Sequence, residues 1–339
     1  MSKSKINYNL RPAKSVERKM LCDAFRRLSE IRLVETYRYI GFGSYYFVDF
    51  SLFHKALNIN SMFSIEKGAA RNKTILERYE ANKPYKCIEI IPGQSHVELP
   101  KLDWTENSII WLDYDGGISS DVLADIQTVC ANSPHGNVLV ITLRVEPGPE
   151  IEEDEYGVAK NRLERLEELL GKDKIPFQII ESYDDGVPKL SPIKPKHLDS
   201  WGTAKVLREI VTNEIESTLV SRNSGIRKDL TLSYKQLFNF HYADGVKMLT
   251  VGGILFEDGQ SHKVSSCAFE RFPFISFDEK PYKIDIPFLT YRELRKLDSQ
   301  LPNDDIEELK KVLPGVPEKD ILSYLKIYRY FPTFAETEL

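Results

Sequence analysis

Five short apolar runs, each ending at a small or acidic residue, divide the first half of the chain. Strands of a parallel sheet that is covered on both faces have this composition, rich in Val, Ile and Leu. Open α/β sheets bind their ligands beyond the carboxyl ends of such strands. The runs predict five parallel strands at Thr36–Ile40, Met62–Glu66, Cys87–Ile91, Ser108–Leu112 and Asn137–Leu143.

Segments with helical spacing of apolar residues lie before and between these runs. They predict helices at about Ser15–Leu33, Tyr46–Leu57, Ala70–Ala81 and Ser120–Ala131. Strands that alternate with helices over short connections specify a doubly wound, mostly parallel sheet. The predicted fold class is therefore α/β.

The pattern loosens after the fifth strand, which indicates a helical insertion with helices at about Val158–Leu170 and Thr203–Leu219 and a short strand at Phe177–Ile180. Asp244-Gly245 then separates two strand-like runs and predicts a late antiparallel hairpin. The tail is predicted to be helical from Pro287. The predicted divisions are 1–35 for a basic segment and helix, 36–145 for a Rossmann-like core, 146–232 for the insertion, 233–286 for the hairpin and 287–339 for the tail.

Composition and charge narrow the function classes. The 339 residues carry a formal net charge of -5, which gives no overall attraction to nucleic acid. The four cysteines are scattered, and neither a membrane-spanning run nor an apolar signal centre is evident, so we expect a cytoplasmic protein with reduced thiols. One local exception is the basic start, where Arg11, Lys14, Arg18 and Lys19 are either solvated surface or a site for a phosphate-bearing or nucleic-acid ligand.

The candidate chemistry begins at the turn after the first strand. Gly41 and Gly43 allow a tight reversal and let a ligand approach the backbone ahead of a helix N-terminus. Glu66, at the end of the second strand, is placed to accept hydrogen bonds from both hydroxyls of a ribose held over that turn. Its alternative role is an ion pair with Lys67 or Arg71.

Polar residues also follow the third and fourth strands. Gln94 is placed to meet an adenine edge, and His96 comes two residues later. Asp113 and Asp115 could share a divalent cation, or Asp113 could act as a general base. The structural alternative is that Asp113 anchors a turn and Asp115 caps a helix.

At these residues the chain resembles the class I, Rossmann-like S-adenosylmethionine-dependent methyltransferases. The resemblance covers Tyr37–Leu143 by motif, and the late hairpin is similar to the antiparallel pair that closes such sheets. It implies S-adenosylmethionine as cofactor and O- or N-methyl transfer to an unidentified acceptor. The roles it implies are the methionine part of the cofactor for Gly41, Gly43 and Ser44, the ribose for Glu66, the adenine for Gln94, and the reacting methyl group for Asp113 with Asp115.

Two departures from the family pattern bear on function. Tyr45 and Tyr46 follow Ser44 where the family has a small residue, so we expect a narrowed cofactor pocket. The fourth strand ends in Leu-Asp-Tyr-Asp-Gly and lacks the Asn/Asp-Pro-Pro-aromatic motif of enzymes that methylate base nitrogens. This ending looks more like that of small-molecule and sugar O-methyltransferases.

Three other functions compete with methyl transfer as explanations of this sequence. A catalytically inactive binding or scaffolding subunit, with protein partners or a second copy, stays open because of the crowded turn. A dinucleotide oxidoreductase is less favoured, since Tyr46 stands where its fingerprint needs a third glycine. A nuclease of the PD-(D/E)xK type is disfavoured because Glu66 and Lys67 are adjacent, and adjacent strand residues face opposite ways.

Overall fold

The computed structural model describes residues 11–185 and 187–332. Its strands are β1 Arg38–Gly41, β2 Ser61–Ile65, β3 Ile88–Ile91, β4 Ser108–Asp113, β5 Val138–Arg144, β6 Ile151–Glu153, β7 Ala159–Asn161, β8 Gln178–Asp184, β9 Val187–Pro192, β10 Leu232–Ala243, β11 Lys247–Glu257 and β12 Tyr282–Ile284. Its helices are α1 Pro12–Arg26, α2 Val48–Leu57, α3 Lys73–Asn82, α4 Ser95–Glu98, α5 Ser120–Asn132, α6 Arg162–Leu170, α7 Ser200–Arg222, α8 Ser261–Ser266, α9 Tyr291–Asp298, α10 Ile306–Val312 and α11 Glu318–Ile327.

Eight strands form one sheet in the order β12-β10-β11-β5-β4-β1-β2-β3. The neighbours from β3 through β5 run parallel, while β11 is antiparallel to both β5 and β10. The predicted α/β fold class and the late hairpin are confirmed. The edge strand β12, which pairs in parallel with β10, was not predicted.

The middle of the sheet is buried on both faces. Trp111 of β4 packs with Phe25 of α1 and Phe53 of α2 in the apolar layer on one face. The neighbouring Ile110 packs with Ile126 of α5 and Ile210 of α7 on the other face. This two-sided burial is the reason that β4 and β5 are continuous apolar runs.

Helix α1 spans Pro12–Arg26, so it begins and ends earlier along the chain than the predicted helix at Ser15–Leu33. Pro12 takes the first helical position, where its missing N–H leaves no donor unpaired. The carboxylate of Asp244 accepts hydrogen bonds from the backbone N–H groups of Ala13 and Lys14 at 3.1 and 2.9 Å. A residue in the distant hairpin turn therefore caps this helix, and no local sequence signal marks such a cap.

The insertion contains more strand than the sequence indicated. Helix α6 begins at Arg162 because Asn161 and Glu164 form a capping box there. Two antiparallel hairpins, β6–β7 and β8–β9, accompany it. Only the start of β8 had been predicted, because most of its residues are exposed and lack an apolar alternation.

The predicted helical tail is confirmed by α9, α10 and α11. These helices share a small apolar core that includes Leu297, Leu309 and Ile321. Tyr324 is 3% exposed in this core, so this aromatic residue serves packing. Along the residues described, every helix is too short or too polar to cross a membrane.

Candidate functional site

The predicted site residues follow parallel strands that end at one edge of the sheet. Gly41 ends β1, Glu66 follows β2, Gln94 follows β3 and Asp113 ends β4. Because β1 to β4 are mutually parallel, these four positions lie along the same carboxyl edge. The structure therefore brings the predicted positions to a common edge.

The glycine turn is packed tightly against its own chain. The N–H of Gly43 donates to Ser64 Oγ at 2.9 Å, and its carbonyl accepts from the N–H of Phe47 at 2.8 Å. A Cβ on Gly43 would lie 2.4 Å from a ring carbon of Phe47. A Cβ on Gly41 would lie 2.7 Å from the hydroxyl of Tyr39. Protein packing alone therefore requires both glycines.

Glu66 lies directly against this turn and is 5% exposed. Its Oε1 accepts hydrogen bonds from the N–H of Ser44 at 2.9 Å and from Ser64 Oγ at 2.8 Å. Burial raises the pKa of Glu66, while hydrogen bonds from Ser64, Tyr79, Ser44 and Gly43 act in the opposite direction. The glycine turn and the Glu66 carboxylate are therefore in direct hydrogen-bond contact. The predicted ribose site requires that they lie this close together.

Aromatic rings lie along this edge, and the two predicted tyrosines take different positions. Tyr45 turns toward α3, where its ring centroid is 4.4 Å from that of Tyr79. Tyr46 is 45% exposed. Phe42 and Tyr114 instead meet edge to face with centroids 5.2 Å apart, which bridges the ends of β1 and β4. Sequence reasoning missed this pair because each ring sits in a different loop.

Asp113 is held by a buried lysine. Lys14 is 2% exposed, and its Nζ lies 2.8 Å from Asp113 Oδ1 and 2.8 Å from Glu17 Oε2. The same Nζ donates to the hydroxyl of Tyr242 at 3.1 Å and lies 4.4 Å from the ring centroid of Trp111. The side chain of Asp113 is 18% exposed. One cation therefore fixes the carboxylate at the end of β4.

A chain of hydrogen bonds runs from Trp111 through the sheet to Glu17, the second acid paired with this lysine. Trp111 Nε1 donates to Thr142 Oγ1 at 2.9 Å, and Thr142 and Thr250 are joined by a hydroxyl contact of 2.7 Å. Thr250 in turn donates to Glu17 Oε1. Burial raises the pKa of Glu17, and the charge of Lys14 opposes that effect. We call Lys14, Glu17, Asp113, Thr142 and Thr250 the buried polar cluster.

The basic start of the chain is not displayed as a cationic surface. Lys14 belongs to the buried polar cluster, and Arg18, also buried, forms an ion pair with Asp49 on α2. Lys19 donates to the carbonyl of Phe331 at 3.2 Å, and Arg11 is half-buried. Acids already pair with Lys14 and Arg18, so the expected phosphate site at these two residues would require those ion pairs to break. Residues 1–10 of the basic segment lie outside the described residues.

Gln94 and Asp115 are exposed beside this edge, in the loops after β3 and β4. The two loops are tied together by Asp125 of α5, which accepts hydrogen bonds from Ser95 Oγ and from the hydroxyl of Tyr114. Burial raises the pKa of Asp125 to about 6. The sequence offered no signal for Asp125, since an acid inside an amphipathic helix usually faces solvent.

The geometry gives little support for a functional role of His96 or for a bound metal ion. His96 Nδ1 lies 3.6 Å from Asp121, on the exposed side of the loop. Among the residues that the structure describes, no three His, Cys, Asp or Glu side chains are grouped so that they could share a metal ion. Asp113 and Asp115 therefore lack the further ligands that the expected divalent cation would need in this part of the chain.

Comparison with known proteins gave a family match over almost the whole chain. Residues 6–339 match the model of a family described as "Putative O-methyltransferase". No curated protein matches significantly.

Similar solved structures share little sequence with this chain. An S-adenosylmethionine-dependent methyltransferase from Clostridium acetobutylicum ATCC 824 is 8% identical, with 75% of this chain and 94% of that chain covered and a TM-score of 0.36. The glycopeptide N-methyltransferase MtfA, solved with sinefungin, is 9% identical, with 71% and 93% covered and a TM-score of 0.35. LepI in complex with SAM is 13% identical, with 65% of this chain covered and a TM-score of 0.33. The chain spans only 43% of the LepI chain.

Proposed function

The chain belongs to this O-methyltransferase family, and from that premise we propose that it binds S-adenosylmethionine at the carboxyl edge of its sheet and methylates a hydroxyl oxygen or an amine nitrogen. One observation carries the proposal. The glycine turn after β1 and the acid after β2 converge, with Ser44 N–H donating to Glu66 Oε1 at 2.9 Å. An adenosyl group needs both features at one place, the turn for close backbone approach and the acid for ribose hydroxyls.

The donor set suits this cofactor, but binding requires an exchange of hydrogen bonds. Gly41, Gly43 and Ser44 would hold the methionine part, Glu66 the ribose and Gln94 the adenine. A carboxylate has about four acceptor positions, and Ser64, Tyr79, Ser44 and Gly43 already donate to Glu66. We therefore propose that a ribose hydroxyl replaces at least one of these protein donors, and the glycine turn would shift where that donor is Ser44 or Gly43.

Asp113 is proposed to orient the acceptor. S-adenosylmethionine, when bound, supplies an electrophilic methyl group. Asp113 keeps one face toward solvent while Lys14 holds its Oδ1, so its remaining lone pairs can accept a hydrogen bond from an acceptor hydroxyl. That contact would direct the oxygen along the line of attack, and alignment of this kind supplies much of the rate enhancement. Asp115, exposed two residues later, is proposed to bind the other side of the acceptor.

The cofactor proposal is tested by isothermal titration with S-adenosylmethionine and S-adenosylhomocysteine. We expect Glu66→Gln to lower the affinity for both compounds at least about tenfold, because a hydrogen bond to a charged group contributes about 1.5–3 kcal/mol. Glu89→Gln is the matched control, since Glu89 is an exposed acid on the neighbouring edge strand β3. Circular dichroism melting of each variant confirms folding. If the folded wild-type protein binds neither compound at millimolar concentration, the proposal is wrong.

One observation favours a second candidate, a methyltransferase-like binding subunit without catalysis. Glu66 is saturated by protein donors, and the Phe42–Tyr114 contact bridges the loops where a cofactor would enter. A subunit of this kind would keep that arrangement permanently. Titration of the wild type and Phe42→Ala separates the two functions: an enzyme binds the cofactor with Phe42 in place, whereas a closed subunit binds none until this contact is removed.

A further inference from the structure

A cavity of about 200 Å³ lies beside the carboxyl ends of β4 and β5, where the insertion covers the sheet. Gly117, in the loop that follows Asp115, forms one wall, and α6 and the start of α7 form the others. The N–H of Arg144 donates to the carbonyl of Gly116 at 2.9 Å, which fixes this wall against β5. The cavity therefore adjoins the loop that carries Asp115, on the α7 face of the sheet, whereas Asp113 faces α1.

The lining of this cavity combines an apolar floor with a cationic rim. Ile118, Leu166 and Leu207 supply apolar surface. Arg144, Arg162 and Arg165 supply three guanidinium groups, against the single carboxylate of Glu146. An excess of positive charge at this place contrasts with the net charge of -5 of the whole chain.

The three arginines keep donors available for a ligand. Arg144 donates through Nε and Nη2 to Glu146, and Arg162 Nε donates to the carbonyl of Gly148 at 3.2 Å. Arg165 donates through Nη1 and Nη2 to the carbonyls of Lys160 and Pro149 at 2.8 and 2.5 Å, and its Nε lies 3.5 Å from Glu152. A guanidinium group carries five N–H donors in a rigid fork that matches an oxyanion. The protein contacts of each arginine use only part of that fork, so an oxyanion could be bound without breaking them.

Thr203 provides an independent indication of a ligand. It lies in the first turn of the 23-residue helix α7, lines the same cavity and is 6% exposed. Its Oγ1 has no hydrogen-bond partner among the described residues. A buried hydroxyl without a partner is unfavourable, and native structures usually satisfy such a group. The positive end of the α7 dipole also favours a negative charge at this position.

We propose that this cavity binds the methyl acceptor, and that the acceptor is a small molecule with an apolar body and an oxyanion, either a carboxylate or a phosphate. The arginines bind the oxyanion, Thr203 donates to it, and the hydroxyl to be methylated extends along the loop toward Asp115 and past the end of β4 toward Asp113. The volume equals that of about seven waters at 30 Å³ each, which admits a single aromatic or sugar ring. This inference rests on the proposed methyl transfer.

The test uses 4-hydroxybenzoate, phenyl phosphate and neutral 4-hydroxybenzamide as probes, titrated into the full chain saturated with S-adenosylhomocysteine. We expect at least one of the two anions to bind at least tenfold more tightly than the amide, and their order separates a carboxylate site from a phosphate site. The double variant R144Q/R162Q should lose at least tenfold of that affinity while its affinity for S-adenosylhomocysteine is unchanged. Arg227→Gln is the control, because Arg227 is 74% exposed and pairs with Asp229 outside the cavity.

Thr203→Val distinguishes a ligand contact of Thr203 from a purely structural role. Removal of an unsatisfied hydroxyl should leave the melting temperature equal or higher, while the affinity for the anion falls. Equal binding of anion and amide, or full affinity in R144Q/R162Q, would overturn the proposal although S-adenosylhomocysteine still binds. A protein that binds the anions but neither form of the cofactor overturns the acceptor assignment together with methyl transfer.

Discussion

Replacing Lys14 by Met tests whether one buried cation holds the carboxyl edge together. Methionine preserves most of the apolar stem and removes the charge. The ammonium group lies 2.8 Å from both Asp113 and Glu17, so the variant leaves two carboxylates without their shared partner. Arg18 also lies near these two acids, but it is already paired with Asp49.

The expected loss in the free energy of unfolding at pH 7.5 is about 3 kcal/mol, the lower end of the roughly 3–5 kcal/mol found when one partner of a buried ion pair is removed. The lower end applies because Asp113 is 18% exposed and can be hydrated, whereas Glu17 is fully buried. The loss should shrink as the pH falls. Burial already raises the pKa of Glu17, and removal of Lys14 deletes the main effect that opposes burial. Glu17 then takes up a proton in the folded state, and the destabilisation grows as pH rises through that raised pKa.

Urea denaturation at pH 7.5 and pH 5 measures both effects. The double variant K14M/E17Q should recover roughly 2 kcal/mol at pH 7.5, a coupling typical of directly contacting groups. Lys67→Met is the control for loss of a lysine, because Lys67 is exposed and its replacement should change stability by less than about 0.5 kcal/mol. A loss below about 1 kcal/mol for K14M, or a larger loss at pH 5 than at pH 7.5, would refute the reasoning.

Two further predictions concern the glycine turn and Asp125, which ties together the loops after β3 and β4. Gly43→Ala should destabilise the protein by about 1–3 kcal/mol, the usual range for overpacking, because the new Cβ would lie 2.4 Å from the Phe47 ring. Gly116→Ala, whose Cβ would have nothing within 4 Å, is the control in the same urea assay; equal effects would contradict the packing argument. Burial raises the pKa of Asp125 to about 6 in the folded state, so its ionisation should lower stability by up to about 3 kcal/mol as pH rises from 4 to 7. Asp125→Asn should remove that pH dependence in pH-resolved melting, whereas Asp121→Asn, at a 55% exposed side chain, should keep it; an unchanged profile in Asp125→Asn would count against the burial of this charge.

The sheet was predictable because burial on both faces leaves a local record in the sequence. Strands β4 and β5 read as continuous apolar runs, and Asp244-Gly245 marks the hairpin turn between β10 and β11. Strands β6, β7 and β9 and most of β8 left no such record, because most of their side chains are exposed. Strand β12 is three residues long and depends on pairing with β10, so the sequence shows no alternation of apolar and polar residues that would predict it.

The candidate site was predictable only in part, for a related reason. Residues that end buried strands, such as Glu66 and Asp113, are recognisable because they interrupt an apolar run. Lys14 was assigned to a surface patch, since its charge is visible in the sequence and its burial is not. Its partner Asp113 is 99 residues away along the chain. Phe42 and Tyr114 likewise meet only after the two loops are folded.

The geometry around Asp113 bears on the choice between a free general base and an orienting acceptor. Its partner Lys14 lies in the first turn of α1, which Asp244 of the distant hairpin caps. Three remote segments therefore hold this carboxylate in one position. A role in aligning a hydroxyl follows more directly from this arrangement than a role in removing its proton, which is why the acceptor's own acidity should govern the rate.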